Sequence, residues 1–426
     1  MRWIAAVVVA FGALAPAAAQ VDPLAPVDRA TLTLARVRLA ASREFQQLPN
    51  CTCTMNVERS RRIGGRGRFE LADNLRLEVA LVDGKEVYSW PGARQFEDRE
   101  IVDIVSGGAI GSGEFAGHAR NVLLSGSTRL NYQGIEDLEG RSAHRFDFVV
   151  PMSDSRYIMR IGQVSGPVGY RGSFWADEGS YQLRRLFLEI FETPPDIPLE
   201  SGSIRIDYEK RDIGGGRFLL PHSSESTLFT KGGLESINRT SYTNCRLYTG
   251  ESSLTFDEID EEEAAAAPPT PVIDWVLPKG LPVALRLTAA LSAVETAIGD
   301  AVEFNVVKDA ALRKQVWLER GARITMRVAL VRCVTAPVSA CLIALIPQGF
   351  TSANKTGRFL AECEQPPLSA MLQQMSPNNR SLLLSLKLGE LNLPPNSSLI
   401  LFRGRRLDPN YQTVWRTLDT SGEQAP

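Results

Sequence analysis

This chain of 426 residues contains few histidines and has no excess of positive charge. The three histidines, His118, His144 and His222, lie far apart and form neither an HExxH nor an HxH motif, which excludes the usual spacing of zinc hydrolases. We therefore predict that all three are satisfied structural histidines. Lysine and arginine total 47 against 49 acidic residues, a net charge of −2, so no positive field favours nucleic acid.

Catalytic and cofactor motifs are missing as well. The chain contains no GxSxG nucleophile elbow, and the glycine-rich run 64–67 lacks the lysine and the following helix of a phosphate loop. No cofactor and no metal is predicted. An enzyme has no support from any motif, and a hydrolase of unrecognised type remains only a third hypothesis.

Long hydrophobic runs are confined to the N-terminus. Arg2 precedes an apolar stretch from Trp3 to Leu14, which is followed by small residues up to Ala19. This pattern predicts a secretory signal peptide at residues 1–19, so we expect a periplasmic or secreted protein without an integral span after processing. The stretch is shorter than the ~20 apolar residues that a membrane span needs, although a retained N-terminal anchor is the alternative.

The composition, 44% apolar and 23% charged, is that of a globular chain with two or three domains. The stretch Phe256–Val272, FDEIDEEEAAAAPPTPV, combines six carboxylates with three prolines and predicts an exposed linker at 257–271. The alternative is a short acidic helix. The predicted divisions are a first domain at 20–256, a second at 272–407 and a loose polar tail at 408–426.

Six cysteines in an exported chain permit disulfides. Either Cys51 or Cys53 is placed to bond Cys245, which would tie the two ends of the first domain together. Cys333 and Cys341 flank a short turn, where a cross-strand bond is predicted. Reduced, buried thiols are the alternative, because spacing alone does not fix connectivity.

The first domain begins with a predicted helix and continues as strands. Asp28 is a suitable N-cap for apolar residues that recur at helical spacing up to Pro49. Alternation from Leu75 to Leu81, followed by Asp83-Gly84, predicts a hairpin. Two short helical passages and a series of alternating strands follow, which indicates an antiparallel sheet with one face in a core.

Five arginines surround the glycine-rich run 64–67, which is predicted to be a flexible hairpin tip: Arg59, Arg61, Arg62, Arg66 and Arg68. The cluster is predicted to be a solvated hairpin face. The alternative is that it docks an acidic partner or lipid head groups.

The segments LEVALVDGKEVYSWPGA, GYRGSFWAD and LPNCTC resemble those of uncharacterised exported bacterial proteins, and the element order over 27–256 resembles the half-barrel of the LolA, LolB and RseB lipoprotein-carrier group. The resemblance implies that the concave face of a curved sheet takes up an acyl chain. The inward residues expected to line it are Leu77, Val79, Phe146, Phe148, Leu186 and Leu188. The likeness also implies that Cys53, rather than Cys51, bonds Cys245.

Beyond the linker, apolar residues again alternate in the pattern typical of strands. The segments LPKGLPVALRL, GDAVEFNVV and VWLERGARITMRV resemble a small β-barrel module of bacterial envelope proteins. The shared motifs are turn sequences, so the resemblance implies no functional site. The fold class is therefore mainly β with α (α+β), a curved antiparallel half-barrel followed by a smaller β-barrel-like domain.

Two functional hypotheses follow. The first is a non-enzymatic envelope protein whose half-barrel binds an acyl chain of a lipid or lipoprotein, or another apolar ligand. The second is a structural protein that binds another envelope protein, with the half-barrel filled by its own side chains. The volume of a cavity on the concave face separates the two hypotheses.

Overall fold

The computed structural model describes residues 28–65, 67–93, 96, 101–105, 109–126, 128–161, 164–248, 273–335, 338–366, 368–375, 386 and 393–419. The predicted signal peptide and linker lie outside these residues. We call residues 28–248 the N-terminal unit and residues 273–419 the C-terminal unit.

Helix α1 (Arg29–Gln47) opens the N-terminal unit as the sequence predicts. The Asp28 carboxylate accepts a hydrogen bond from Thr31 N at 2.9 Å, which caps an otherwise unpaired backbone donor. Val37, Ala41 and Phe45 recur at four-residue spacing and form the buried face of the helix. This face packs on the first sheet.

The other elements that the described residues of the N-terminal unit form are two short helices, a turn of 3-10 helix and twelve strands. The helices are α2 (Ile101–Ile104) and α3 (Gly117–Leu123), and the 3-10 turn is Met152–Asp154. The strands are β1 (Cys51–Ile63), β2 (Glu70–Val82), β3 (Lys85–Ser89), β4 (Arg129–Asp137), β5 (Ser142–Val150), β6 (Ile158–Ile161), β7 (Val164–Pro167), β8 (Gly169–Asp177), β9 (Leu183–Glu192), β10 (Leu199–Ile213), β11 (Gly216–Thr230) and β12 (Leu234–Leu247).

Ten of these strands form one antiparallel sheet in the order β3-β2-β1-β12-β11-β10-β9-β8-β5-β4. Register shifts interrupt several pairs, including β1 with β2 and β8 with β9, and such bulges increase the twist and bend of a sheet. Gly172 marks a tight point of the curl, because a Cβ there would lie 2.0 Å from the Phe187 carbonyl oxygen. The sheet is a curved half-barrel.

The concave face is covered by elements that interrupt the strand order. Helices α1 and α3 pack over β5, β8, β9 and β10, while α2 packs over the core of β1 to β3. The β6-β7 hairpin forms its own small sheet. Met159 on this hairpin packs in a cluster that also includes Ile190 of β9 and Leu228 of β11.

Within its described residues, the C-terminal unit has thirteen named strands and helix α4 (Leu368–Met375). The strands are β13 (Ile273–Asp274), β14 (Pro282–Leu287), β15 (Leu291–Ser292), β16 (Ala301–Val306), β17 (Ala310–Leu312), β18 (Gln315–Leu318), β19 (Arg323–Val334), β20 (Ala340–Ser352), β21 (Lys355–Arg358), β22 (Ala361–Cys363), β23 (Ser398–Arg403), β24 (Arg406–Leu407) and β25 (Gln412–Thr417).

The order β23-β20-β19-β16-β14-β25-β22 runs around one core, and Cys363 N on β22 donates to Ser398 Oγ on β23 at 3.1 Å. A ring of strands of this kind protects its edges. The predicted α+β class, a half-barrel followed by a smaller β-barrel-like part, is confirmed. The prediction of a loose tail from residue 408 is wrong, because β25 lies between β14 and β22 and its Trp415 is buried.

Both predicted disulfides are present, Cys53–Cys245 between β1 and β12 and Cys333–Cys341 between β19 and β20. Cys51 and Cys363 carry free thiols, and burial raises the pKa of each to about 11. Stable disulfides indicate an oxidising compartment. None of the helices in the described part of the chain is long and apolar enough to span a membrane.

Candidate functional site

The six residues predicted to line the groove are all buried, but they lie in two separate clusters. Phe146, Phe148, Leu186 and Leu188 pack together beneath α1 and α3. Leu77 and Val79 pack with Tyr88, Phe115 and residues of α2. None of the six lines the larger cavity that the described residues form further along this face. At these positions the concave face is covered by the protein's own helices.

A cavity of about 800 Å³ lies further along the concave face, and we call it the ligand cavity. Its floor is the inner face of β9 to β12, and its cover consists of α2, the segment 110–118 and the β6-β7 hairpin. About half of the lining is apolar, and this part includes Ile101, Val102, Ile110, Met159, Ile190, Ile204 and Leu228. The volume falls in the range of roughly 300–1,000 Å³ found for small-molecule sites.

One end of the ligand cavity is polar and centres on Glu86. Its carboxylate accepts hydrogen bonds from Gly113 N at 2.7 Å and Phe115 N at 3.0 Å, and from the Tyr88 hydroxyl. Three donors suit a carboxylate. They also pin the segment 113–115 to β3, so that the cover of the cavity is fixed at this end.

Glu114 belongs to the segment 113–115 that Glu86 holds, and it is buried. The Tyr242 hydroxyl hydrogen-bonds its carboxyl group, and the Tyr208 hydroxyl donates to its backbone carbonyl at 2.9 Å. Burial, together with the negative charge of Glu86, raises the pKa of Glu114 to about 8. The group is therefore a neutral carboxylic acid at neutral pH.

His118 lines the ligand cavity at the start of α3 and is only 4% exposed. Its ring meets the Tyr157 ring edge-on at 4.9 Å, and a Cβ on Gly113 would lie 3.2 Å from Nε2, so the ring needs a glycine above it. Burial lowers the pKa of His118 to about 4, and the imidazole is neutral at neutral pH. Nε2 has no hydrogen-bond partner.

Satisfied structural histidines are the prediction, and His118 departs from it at one ring nitrogen, because the ring bonds the Ser112 backbone while Nε2 has no partner among the described residues. The other two do have partners, since His144 Nδ1 and the Tyr132 hydroxyl lie 2.9 Å apart and His222 Nδ1 lies 2.8 Å from Arg211 Nη2. An unsatisfied buried nitrogen costs roughly 1–3 kcal/mol. A hydrogen-bond donor from a ligand in the cavity would remove that cost at His118.

Catalysis would need a nucleophile, a base and an orienting group in one hydrogen-bonded chain. In the described part of the chain, no hydrogen bond joins His118 to a serine hydroxyl or to a carboxylate. A pKa of about 4 also makes His118 a weak base at neutral pH. The polar end of the cavity is better suited to hydrogen bonding than to proton transfer.

Sequence reasoning missed the polar floor of the ligand cavity. In β11 and β12 the inward positions include Ser224, Ser226, Asn238 and Thr240, which pair across the two strands. Because these inward residues are polar, β12 shows no alternation of apolar and polar residues. The sequence therefore does not predict β12 as a strand. The disulfide at Cys245 was the one signal for its position.

Comparisons with known proteins were made for the whole chain. No protein family and no curated protein matches it. Similar solved structures include a LolA superfamily protein from Nitrosomonas europaea at 12% identity, with 52% of this chain and 94% of that chain covered and a TM-score of 0.26. Another is a putative outer membrane lipoprotein-sorting protein domain from Vibrio parahaemolyticus at 15% identity, with 52% and 93% covered and a TM-score of 0.28.

A third similar structure is lipoprotein LppX from Mycobacterium tuberculosis, at 12% identity, with 50% of this chain and 94% of that chain covered and a TM-score of 0.19. These structures include the group that the sequence resemblance names. At TM-scores below 0.5 they carry no argument about function, and the half-barrel assignment rests on the strand order and the bulges of this chain.

Proposed function

We propose that the protein is a non-enzymatic, exported envelope protein that binds an acyl chain, from a lipid or a lipoprotein, in the ligand cavity. The observation that carries this proposal is a cavity of about 800 Å³ on the concave face, whose lining is about half apolar and half polar. Each methylene transferred from water into such a lining contributes about 0.8 kcal/mol. A few methylenes therefore suffice for measurable binding.

The cover of the cavity supplies a route of entry. The β6-β7 hairpin contacts the sheet through a small cluster around Met159, and its Ile158 is 59% exposed. Elements with few buried contacts open at low free-energy cost. We expect the hairpin to move when the ligand enters, while the segment 113–115 stays held by Glu86.

The six groove residues predicted from the sequence remain a separate prediction. Phe146, Phe148, Leu186 and Leu188 would contact a ligand only if α1 and α3 moved off the sheet, and Leu77 and Val79 only if α2 and Phe115 did. Their burial favours the second hypothesis, a protein-interaction module with a self-filled half-barrel, at that end of the concave face. The ligand cavity favours the first hypothesis at the other end.

The test fills the cavity with a side chain. Ser226 lies half-buried on the cavity floor, whereas Ser241 lies exposed on the neighbouring strand. We expect Ser226→Phe to weaken binding of a neutral apolar dye by about tenfold, because the ring occupies the space of several methylenes. Ser241→Phe, the matched control, should bind the dye as the unmodified protein does.

The readouts are a dye titration with the intact protein and mass spectrometry of organic extracts from gently purified material. Circular dichroism checks that both variants are folded. Absence of dye binding and of co-purified lipid in the unmodified protein would leave the interaction hypothesis in place. Equal dye affinity in Ser226→Phe and Ser241→Phe would show that the dye binds elsewhere.

A further inference from the structure

We propose that a second cavity, between the two units, binds the anionic head group of the ligand whose acyl chain fills the ligand cavity. This cavity has a volume of about 350 Å³, and we call it the junction cavity. The inference rests on the proposed function and adds the chemical class of the ligand, an amphipathic molecule with a carboxylate or a phosphate.

Fixed backbone contacts hold the two units together beside the junction cavity. Arg76 N donates to Ile298 O at 2.8 Å, and Ile298 N donates to Asn74 O at 2.7 Å. Asp300 pairs with the Arg76 guanidinium. Residue 299 is necessarily a glycine, because its φ is +104° and a Cβ would lie 2.2 Å from Arg76 O.

Four arginines and one aspartate supply the charged side chains among the residues described around this cavity. Arg59 and Arg61 come from β1, and Arg327 and Arg332 come from β19. Asp73 is already engaged, since Arg59 donates to both of its oxygens at 2.6 and 2.7 Å. The charge of the lining is therefore strongly positive, which favours an anion.

Arg327 is the arginine least compensated by protein groups. Its guanidinium lies over the Trp90 ring at 4.8 Å, and no carboxylate in the described part of the chain pairs with it. Burial lowers the pKa of Arg327 to about 10, so it still carries its charge at neutral pH. A half-buried charge without a counterion is costly, and an anionic ligand would offset that cost.

The sequence prediction that the arginine cluster forms a solvated hairpin face is wrong for Arg59. It is 6% exposed and points to the concave side, where its partner is Asp73. Arg61 is half-buried and has no ion-pair partner among the described residues. The sequence alternative, recognition of lipid head groups, fits these two positions better than a solvated face does.

The junction cavity and the ligand cavity share a wall. Asn238 lines both cavities and is 4% exposed. Its Nδ2 donates to Ala109 O at 2.8 Å, while its Oδ1 has no partner. Helix α2 also borders both cavities, because Ile101 lines the ligand cavity and Ile104 lines the junction cavity. The two cavities are therefore neighbours on either side of Asn238, and we infer that one ligand spans both.

The test compares two ligands that differ only in charge, lauric acid and its methyl ester, at neutral pH. We expect the intact protein to bind the acid about tenfold more tightly, the effect of one charge-assisted contact. Arg327→Gln should abolish that preference and leave the affinity for the ester within about twofold, since only the anion contacts residue 327. Arg323→Gln, an exposed arginine on the same strand, is the control.

Three outcomes would overturn the inference: equal affinity of the intact protein for acid and ester, equal loss of both in Arg327→Gln, or an unchanged preference in that variant. Arg61→Gln repeats the comparison if Arg327→Gln does not fold. Calorimetry with inorganic phosphate separates the two proposals. Phosphate binding that needs Arg327, without binding of either chain, would support the anion site and refute the acyl-chain function, while no binding of any probe would refute both.

Discussion

Glu114 should make the stability of the N-terminal unit fall as the pH rises. Its pKa is 4.5 in an unfolded chain and about 8 in the folded protein, where burial and Glu86 oppose its ionisation. Between these values the unfolded chain releases a proton that the folded protein keeps. The free energy of unfolding therefore decreases by about 1.4 kcal/mol for each pH unit in this window.

The titration of His118 changes the stability in the opposite direction. This determines the pH range in which the effect of Glu114 is measured. Its pKa falls from 6.5 to about 4 on folding, so its contribution to stability is lost as the pH drops from 6.5 to 4. The two effects offset each other in part below pH 6.5. Of these two groups only Glu114 titrates between pH 6.5 and 8, and we expect it to lower the free energy of unfolding by about 2 kcal/mol in that range.

The variant Glu114→Gln removes the ionisable group and keeps a hydrogen-bond acceptor for Tyr242. Urea unfolding followed by circular dichroism at half-unit pH steps should give a flat stability profile for this variant above pH 6.5. Glu200→Gln, an exposed glutamate, is the control and should retain the slope of the unmodified protein. Parallel profiles for Glu114→Gln and the unmodified protein would refute the buried-acid reasoning.

Three further predictions follow. Intact mass of exported protein should show a chain that begins at Gln20, and an uncleaved Met1 would contradict export through a cleaved signal. Limited proteolysis should cut first within 257–271 and leave two resistant fragments, whereas first cuts inside either unit would mean that the junction fuses them. Replacing Cys53 and Cys245 by alanine should lower the free energy of unfolding by about 5 kcal/mol in the chain-entropy relation for a loop of 192 residues, and an unchanged urea midpoint would contradict this.

Elements with local signals were predictable from the sequence. Asp28 caps α1 where the capping preference places it, and Asp83-Gly84 adopts the positive φ values of 51° and 80° that a tight hairpin turn needs. Strands with apolar inward residues, such as β5 and β9, were predicted for the same reason. In each case the residues that decide the structure are close in sequence.

Elements with polar inward faces were not predictable. Strand β12 directs Asn238, Thr240 and Tyr242 inward, and β25 directs Thr413, Trp415 and Thr417 into the barrel core. Only the neighbouring strands reveal which face of such a strand is buried. The candidate site was missed for the same reason, because its polar end depends on contacts such as that of Glu86 with Phe115 N, 29 residues apart.

The distribution of polar residues over the concave face argues for an amphipathic ligand. Where α1 and α3 cover the sheet, the inward residues are Phe146, Phe148, Leu186 and Leu188, and the face is filled by the protein itself. Where the sheet faces the ligand cavity, Ser226 and Asn238 stand beside Ile204 and Leu228. A purely apolar ligand would leave Asn238 Oδ1 and His118 Nε2 unpaired, at a cost of roughly 1–3 kcal/mol each. A ligand with both an acyl chain and hydrogen-bonding groups avoids that cost, and the floor of the cavity is mixed in the way such a ligand requires.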